Sequence, residues 1–402
     1  MARGRIYQRG QTWTVVVDVG RHPETRKRRQ KSQGGFRTKK EAQRWLTQTL
    51  GQVDQGTYVT PTRELTGEYL DRWLAAIRSS KKPSTFESYE RLVRGHLIPR
   101  LGHVYLHQLS PAHLSAAYAD MEWSGRLDGT GGLSPRMVHY AHTVLRKALA
   151  DAVEEGRVAR NVAALGTVRK RLPKPRRPEH RTWTAEELGR FLDHVSGDPL
   201  YPALLLAATT GLRRGELLGL RWVDLDLGRG RAAVRQTLLA VRDVDADIAA
   251  RQLGKRAGKH RPMFGTPKTD RERTVPLPAR TVAALRRHRK RQLEDERMKA
   301  GPDYRDQDLV FAEPDGSPIH PERFAKRFRV RVAQAGVPVI RFHDLRHTWA
   351  TLALQAGVHP KVVQEVLGHS NIAITLGTYS HAIPSMQEQA ADTVAALVFG
   401  GS

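Results

Sequence analysis

Residues 343–357 read HDLRHTWATLALQAG. His343, Arg346 and His347 stand at i, i+3 and i+4, the spacing that puts three side chains on one face of a helix. Histidines four apart can bind zinc, but the metalloprotease pattern needs glutamate directly after the first histidine, and Asp344 stands there. An arginine on the same face would also repel the ion. Two imidazole donors beside a guanidinium fork suit a phosphate instead.

Three other stretches carry residues of matching chemistry. TTGLRRGELLGLRW (209–222) sets Arg213 and Arg214 in a turn between apolar helices, with Glu216 able to hold an arginine against an anion. TPKTDRERTVPL (266–277) puts Lys268 before a strand at a hairpin, where an ammonium could protonate a departing alkoxide. LGHSNIAITLGTYSH (367–381) places Tyr379 among Thr378, Ser380 and His381, with His369 upstream. A tyrosine among small polar residues is an odd choice for a core. Gly377 loosens the local backbone, so the segment carrying Tyr379 is expected to be mobile and fully placed only once a partner is bound.

Net charge is +26 and the sequence pI about 10.8, which points to a polyanion. The apolar fraction of 39% is that of an ordinary globular protein. No apolar run approaches the ~20 residues of a spanning helix. MARGRIYQRGQTW lacks the apolar core of a secretory signal. With no cysteine there are no disulfides, cysteine nucleophiles or thiolate metal sites. A reducing cytoplasm is the simplest expected location.

Patterning divides the chain into a mainly α, multidomain protein with small β-sheets. Residues 1–60 read as a three-stranded sheet with one helix, Ala42, Trp45, Leu46 and Leu50 sharing its apolar face. The cluster RKRRQK supplies Arg26, Lys27, Arg28, Arg29 and Lys31 for phosphate contact. Residues 61–168 read as a helical bundle, two of whose helices open with Ser-Pro, at Ser110-Pro111 and Ser134-Pro135. RKRLPKPRRPEHR (169–181) reads as a basic, Pro-stiffened linker. Its Arg169, Lys170, Arg171, Arg176 and Arg177 are candidate phosphate contacts beside the equal alternative of a plain solvated linker.

Residues 182–385 form the largest segment, a mixed α+β domain opened by a capping box at Thr184 and Glu187. RAAVRQTLLAVR reads as a strand with RTVPL as partner, separated by a long polar loop over 243–267, and LVF as a further strand. The tail, 386–402, shows Ala390, Val394 and Leu397 at helical spacing.

Taken together, Arg213, Lys268, His343, Arg346, His369 and the Tyr379 hydroxyl make an inventory for phosphoryl transfer without a metal. Arginines and imidazoles would stabilise a phosphorane-like transition state. Tyrosine would attack and form a covalent intermediate.

These motifs resemble the tyrosine recombinases, and phage-type or integrative-element integrases in particular. TGLRRGELLGLRW is similar to the first-arginine motif and places that role on Arg213, with Glu216 the acid that follows; the adjoining Arg214 is separated from it by motif alignment alone. PKTDRERTVPL resembles the hairpin-lysine motif, on Lys268. HDLRH resembles the His-x-x-Arg motif, on His343 and Arg346, with His347 in support. LGHSNIAITLGTYSH resembles the terminal motif, with His369 the second histidine and Tyr379 the nucleophile.

The resemblance implies a 3′-phosphotyrosine intermediate and a free 5′-hydroxyl that reverses the step on another strand. It implies no cofactor, neither metal nor ATP, because the ester keeps the bond energy. Integration and excision of a mobile element would pass through a Holliday junction inside a homotetramer on double-stranded attachment sites. A DNA-bending protein and an excisionase are implied accessories. Residues 1–60 would bind arm sites, 61–168 core sites, and the tail would pack on a neighbouring protomer or in cis. Two rivals stand beside this reading. KVVQEVLGHSNIAITL resembles the helix-turn-helix of a non-catalytic regulator, and a type IB topoisomerase would share the chemistry without the strand swap.

Overall fold

The computed structural model describes residues 4–21, 28–54, 58, 63–175, 181–242, 260–267, 272–379, 392, 394–396 and 398–400. Two compact units partition the chain, Met1–Arg177 and Pro178–Ser402.

In the first unit, β1 (Gly4–Arg9), β2 (Thr12–Arg21) and β3 (Arg28–Phe36) form an antiparallel sheet in that order. Side chains alternate along a strand, so Val15 and Val17 share a face. They meet Ala42 and Leu46 of α1 (Lys39–Asp54), with Trp45 and Leu50 packed alongside. A helical cluster follows, built from α2 (Thr66–Ile77), α3 (Pro83–Leu92), α4 (Pro111–Ser124), α5 (Pro135–Glu154) and the short α6 (Gly166–Lys170). Ser110 and Ser134 cap α4 and α5, each accepting a backbone N–H at 3.4 Å ahead of a first-turn proline. The stretch read as a linker starts inside this cluster: Arg169 and Lys170 close α6, and Leu172 is buried.

The second unit opens on α7 (Ala185–His194), whose capping box joins Thr184 to Glu187 as expected. Trp183, Phe191, Phe324, Phe328 and Phe342 meet in tilted and edge-to-face pairs through the core. Helix α8 (Tyr201–Thr210) is apolar on every side and is buried on every side. It stops at Gly211, whose φ of 63° is left-handed. Helix α9 (Arg214–Leu218) follows at once and packs on the strand Thr237–Arg242.

Strands β4 (Leu225–Asp226), β5 (Arg231–Val234) and β8 (Arg273–Pro276) form one sheet, with β5 central and β8 paired to it as the sequence suggests. The rest of that expectation is corrected. Residues 237–242 are a separate strand, β6, paired with β7 (His260–Gly265), so the last part of the stretch read as a polar loop is a strand. The repeating apolar pattern of 231–242 concealed the break at Arg235 and Gln236. Residues 243–259 of that loop lie outside the described residues. LVF is no strand either: Leu309 makes a single bridge to Arg221.

Helices α10 (Ala279–Arg291) and α11 (Pro321–Gln334) complete the frame. Then come α12 (Asp344–Gln355), α13 (Pro360–Leu367) and α14 (Ile372–Tyr379). Helix α12 packs on α8 and α13, and α13 packs on α14 and β8. Most of the tail, including Ala390 and Leu397, lies outside the described residues. Among the described residues no helix is long and apolar enough to cross a membrane.

Gly211 ties backbone to packing. A Cβ there would sit 2.8 Å from Leu367 Cδ2 in α13, in addition to the left-handed strain of roughly 1–2 kcal/mol. Gly211→Ala is expected to destabilise the second unit by about 2 kcal/mol or more. A thermal melt of the full chain followed by circular dichroism checks it; an unchanged midpoint contradicts it.

Candidate active site

The site assembles where α8 ends, α9 and α12 begin, and α13 ends. Arg213 is the N-cap residue of α9, the position where a chain leaves extended geometry for a helix. Glu216, one turn on, accepts the Arg213 backbone N–H at 2.9 Å and its Nη1 at 2.8 Å. This is half a capping box, and it orients the arginine along the helix start. Arg214, the neighbour that sequence could not separate from Arg213, faces away and pairs with Glu322 at 3.1 Å.

Glu216 is 2% exposed, so its charge needs more than one partner. The second is Arg273 of β8, whose Nη1 and Nη2 donate to the two carboxylate oxygens at 3.0 and 2.6 Å. Burial pushes the Glu216 carboxyl up, but the guanidiniums of Arg273 and Arg213 outweigh it and hold the group at about 2. Sequence reading passed over Arg273, although it lies in the hairpin-lysine stretch. Its signal was faint, one arginine among several in DRERTV.

The last turn of α13 supplies the rest of the frame. Its final carbonyls have no partner within the helix and carry partial negative charge. Val366 O accepts Arg273 Nε at 3.1 Å, Leu367 O accepts Arg346 Nη2 at 2.6 Å, and Gly368 O accepts Arg213 Nη2 at 3.2 Å. Gly368 is left-handed, with a φ of 65°, and a Cβ there would press on the Arg273 guanidinium at 3.2 Å. Arg346 donates a second bond, to Gly211 O at 2.8 Å. It is 3% exposed. Burial, then the neighbouring Arg213, push its guanidinium down to about 9, which leaves it charged at neutral pH.

His343 caps α12 and His369 follows α13. Burial, reinforced by Arg346, pushes them down to about 4 and about 3. At neutral pH both imidazoles are therefore uncharged hydrogen-bonding groups and not cations. His369 Nδ1 lies 2.9 Å from the buried Thr375 hydroxyl of α14.

Tyr379 ends α14, and here the sequence expectation is corrected. It is a core residue, 1% exposed, packed with Ala350, Leu354, Val363 and Leu367. Its segment is helical through Gly377, so the tyrosine is seated in the isolated chain. The helix is stitched to α13 through Thr375 and His369, and this outweighs one glycine. Burial pushes the phenol up to about 12, against the pull of Arg346. The hydroxyl lies 2.9 Å from His347 Nδ1, so His347 faces the tyrosine and not, as the shared helical face suggests, an open anion site.

Lys268 lies outside the described residues, three residues beyond the end of β7. So do Arg26, Lys27, Arg176 and Arg177. Of the other candidate phosphate contacts, Arg28 pairs with Asp18 at 2.6 Å. Lys31 stands over the Trp45 and Tyr58 rings at 5.9 and 5.7 Å. Arg29, on the same strand, is exposed, as are Arg169, Lys170 and Arg171. Arg28, Arg29, Lys31, Arg169, Lys170 and Arg171 all belong to the first unit.

Comparison with known proteins matches this arrangement. The phage integrase family model matches residues 182–386, an arm DNA-binding domain model matches 5–53, and a phage integrase N-terminal SAM-like domain model matches 67–121. A tyrosine recombinase XerC-like protein of Caldanaerobacter subterraneus subsp. tengcongensis is 31% identical over 394 residues, 95% of each chain. Among solved structures, the Tn1549 transposon integrase in complex with transposon right end DNA shares the fold at a TM-score of 0.64 and 22% identity. That match covers 81% of this chain and 99% of the other. A lambda integrase tetramer bound to a Holliday junction shares it at 0.54 and 17% identity, covering 91% of this chain and 95% of the other. The chain belongs to the phage integrase family, the tyrosine recombinases, whose members break and rejoin DNA strands.

Removing Arg273 leaves a buried carboxylate with one guanidinium. Arg273→Ala is expected to cost about 3 kcal/mol of stability, and Glu216→Gln in that background should recover part of it. A double-mutant cycle in urea reads the coupling; strictly additive effects count against the bridge.

Proposed function

We propose that this recombinase cleaves DNA with Tyr379 as nucleophile, in a site built from Arg213, Lys268, His343, Arg346 and His369. The observation that carries the reading is the buried tyrosine in the field of Arg346, with Arg346 and Arg213 both held in fixed orientations by Glu216 and backbone carbonyls. Each of those arginines spends two N–H groups on its anchor and turns its other donors to the non-bridging oxygens of a scissile phosphate. Preorganised donors of this kind lower the barrier because no reorientation is needed when charge develops.

Tyr379 Oη attacks phosphorus, a 3′-phosphotyrosine forms, and the 5′-oxygen leaves with a proton from Lys268. His343 and His369, neutral in the free protein, donate N–H groups to the same oxygens. A phosphodiester anion would raise their proton affinity, since it offsets the arginines that depress it. The 5′-hydroxyl of a second strand then reverses the step, which is recombination and not relaxation. Both rival readings lose to the family membership and to the buried tyrosine, which a regulator touching phosphate from its surface would not need.

Residues 1–60 are proposed to bind arm sites, with Arg26, Lys27, Arg28, Arg29 and Lys31 touching phosphate. Residues 61–168 grip core sites, and 169–181 adds Arg169, Lys170, Arg171, Arg176 and Arg177. A homotetramer works through a Holliday junction in the bacterial cytoplasm at the nucleoid, aided by a DNA-bending protein and an excisionase and needing no cofactor. The lambda tetramer of the same fold supports the assembly.

Incubation with a nicked attachment-site duplex should trap a covalent adduct, and Tyr379→Phe should abolish it. An adduct that survives in the Phe variant moves the nucleophile elsewhere. Deleting residues 1–60 should spare cleavage of a core site and strongly impair integration in a two-plasmid assay; normal integration refutes the arm-site role.

A further inference from the structure

Tyr379 poses a problem of protons. Its phenol is buried and pushed up to about 12, so at neutral pH it arrives as a neutral hydroxyl. Attack on phosphorus must release that proton. Arg346 cannot accept it. His343 and His369 stand in the site, but their hydrogen bonds, where they are described, go elsewhere: His369 Nδ1 to Thr375.

His347 is placed differently. It is the residue of the first turn of α12 that points at the tyrosine, with Nδ1 at 2.9 Å from Oη and ring centroids 5.7 Å apart. Among the described residues no other titratable side chain has a hydrogen bond to that hydroxyl. Its ring meets His343 edge-on at 5.2 Å, and it is 9% exposed, so the pair is shielded from bulk water. The helix sets this up: His343, four residues earlier, takes the cap position over the arginines, and His347 lands one turn deeper, against α14.

We propose that His347 is the proton acceptor for Tyr379 and thus a catalytic residue of the cleavage step. This rests on Tyr379 being the nucleophile. The step uses the tautomer in which Nε2 carries the imidazole proton and the hydroxyl donates to Nδ1 across the 2.9 Å contact. As an Oη lone pair forms the O–P bond, the O–H electrons stay on oxygen and the proton passes to Nδ1. The P–O5′ bond breaks, its electron pair leaves on the 5′-oxygen, and that oxygen is protonated separately. During rejoining, His347 returns its proton to the departing phenolate, so it ends each cycle neutral.

The test separates nucleophile-side from leaving-group-side proton transfer. The probes are two nicked duplexes carrying the recombination core from the junction of the element that bears this gene. One has the normal scissile phosphate, the other a bridging 5′-sulfur, which leaves as a thiolate without an acid. Single-turnover adduct formation is measured with the full chain, His347→Ala, His347→Asn and Lys268→Ala. Asn keeps an acceptor near the Nδ1 position but cannot take a proton.

Both His347 variants are expected to slow adduct formation by about 10²–10⁴ on either duplex, whereas the Lys268→Ala defect should shrink on sulfur. Three results overturn the proposal: wild-type rates in both His347 variants, restoration by Asn, which makes His347 a mere holder, or rescue of His347→Ala by sulfur, which makes it an acid. An adduct that persists in Tyr379→Phe instead overturns the nucleophile assignment beneath it.

Discussion

Three guanidiniums of like charge converge on one end of the Pro360–Leu367 helix, and that convergence is what the second unit has to stabilise. The carbonyls of Val366, Leu367 and Gly368 each take one arginine, and Glu216 bridges two of them. Isolated, Arg213, Arg273 and Arg346 would repel one another at low dielectric. Together with a buried carboxylate and a negatively poled helix end they become a fixed cationic floor. The two left-handed glycines, Gly211 and Gly368, end their helices at the point where the carbonyls are needed.

That floor explains the electrostatics around it. Two histidines are kept neutral because burial leaves them little water and, secondarily, because they share the space with arginines. The tyrosine stays protonated because burial outweighs one nearby guanidinium. In the free site the charges described are thus those of the arginines and of the Glu216 carboxylate they hold. In the proposed reaction a phosphodiester supplies the missing anion, and with it the histidines gain proton affinity. A strongly basic chain attracts DNA at long range, and the role proposed for the arginine floor is to hold one phosphate for chemistry.

Much of the site was legible in the sequence. The i, i+3, i+4 spacing of His343, Arg346 and His347 defines a helix start, and the left-handed cap at Gly211 is signalled by an apolar run stopping at glycine before two arginines. The Ser-Pro helix starts and the Thr184–Glu187 box could be read because capping is local. The break between β5 and β6 could not, since both pieces carry the same alternation. Arg273 was hidden among other charged residues, and its role depends on Glu216, distant in the chain. Tyr379 was judged by its small polar neighbours, which said nothing of the α12 and α13 residues that enclose it.

By itself the sequence determined most of the helices, part of the strands, the capping, the basic balance, and the order of one lysine, two histidines, two arginines and one tyrosine, because each depends on neighbours along the chain or on composition. Only the tertiary structure decided which arginine faces Glu216, that helix carbonyls hold three guanidiniums, and that His347 turns to Tyr379 and not to an anion. Those choices are made by packing between residues far apart in the chain, where burial fixes a side chain's partners and its charge.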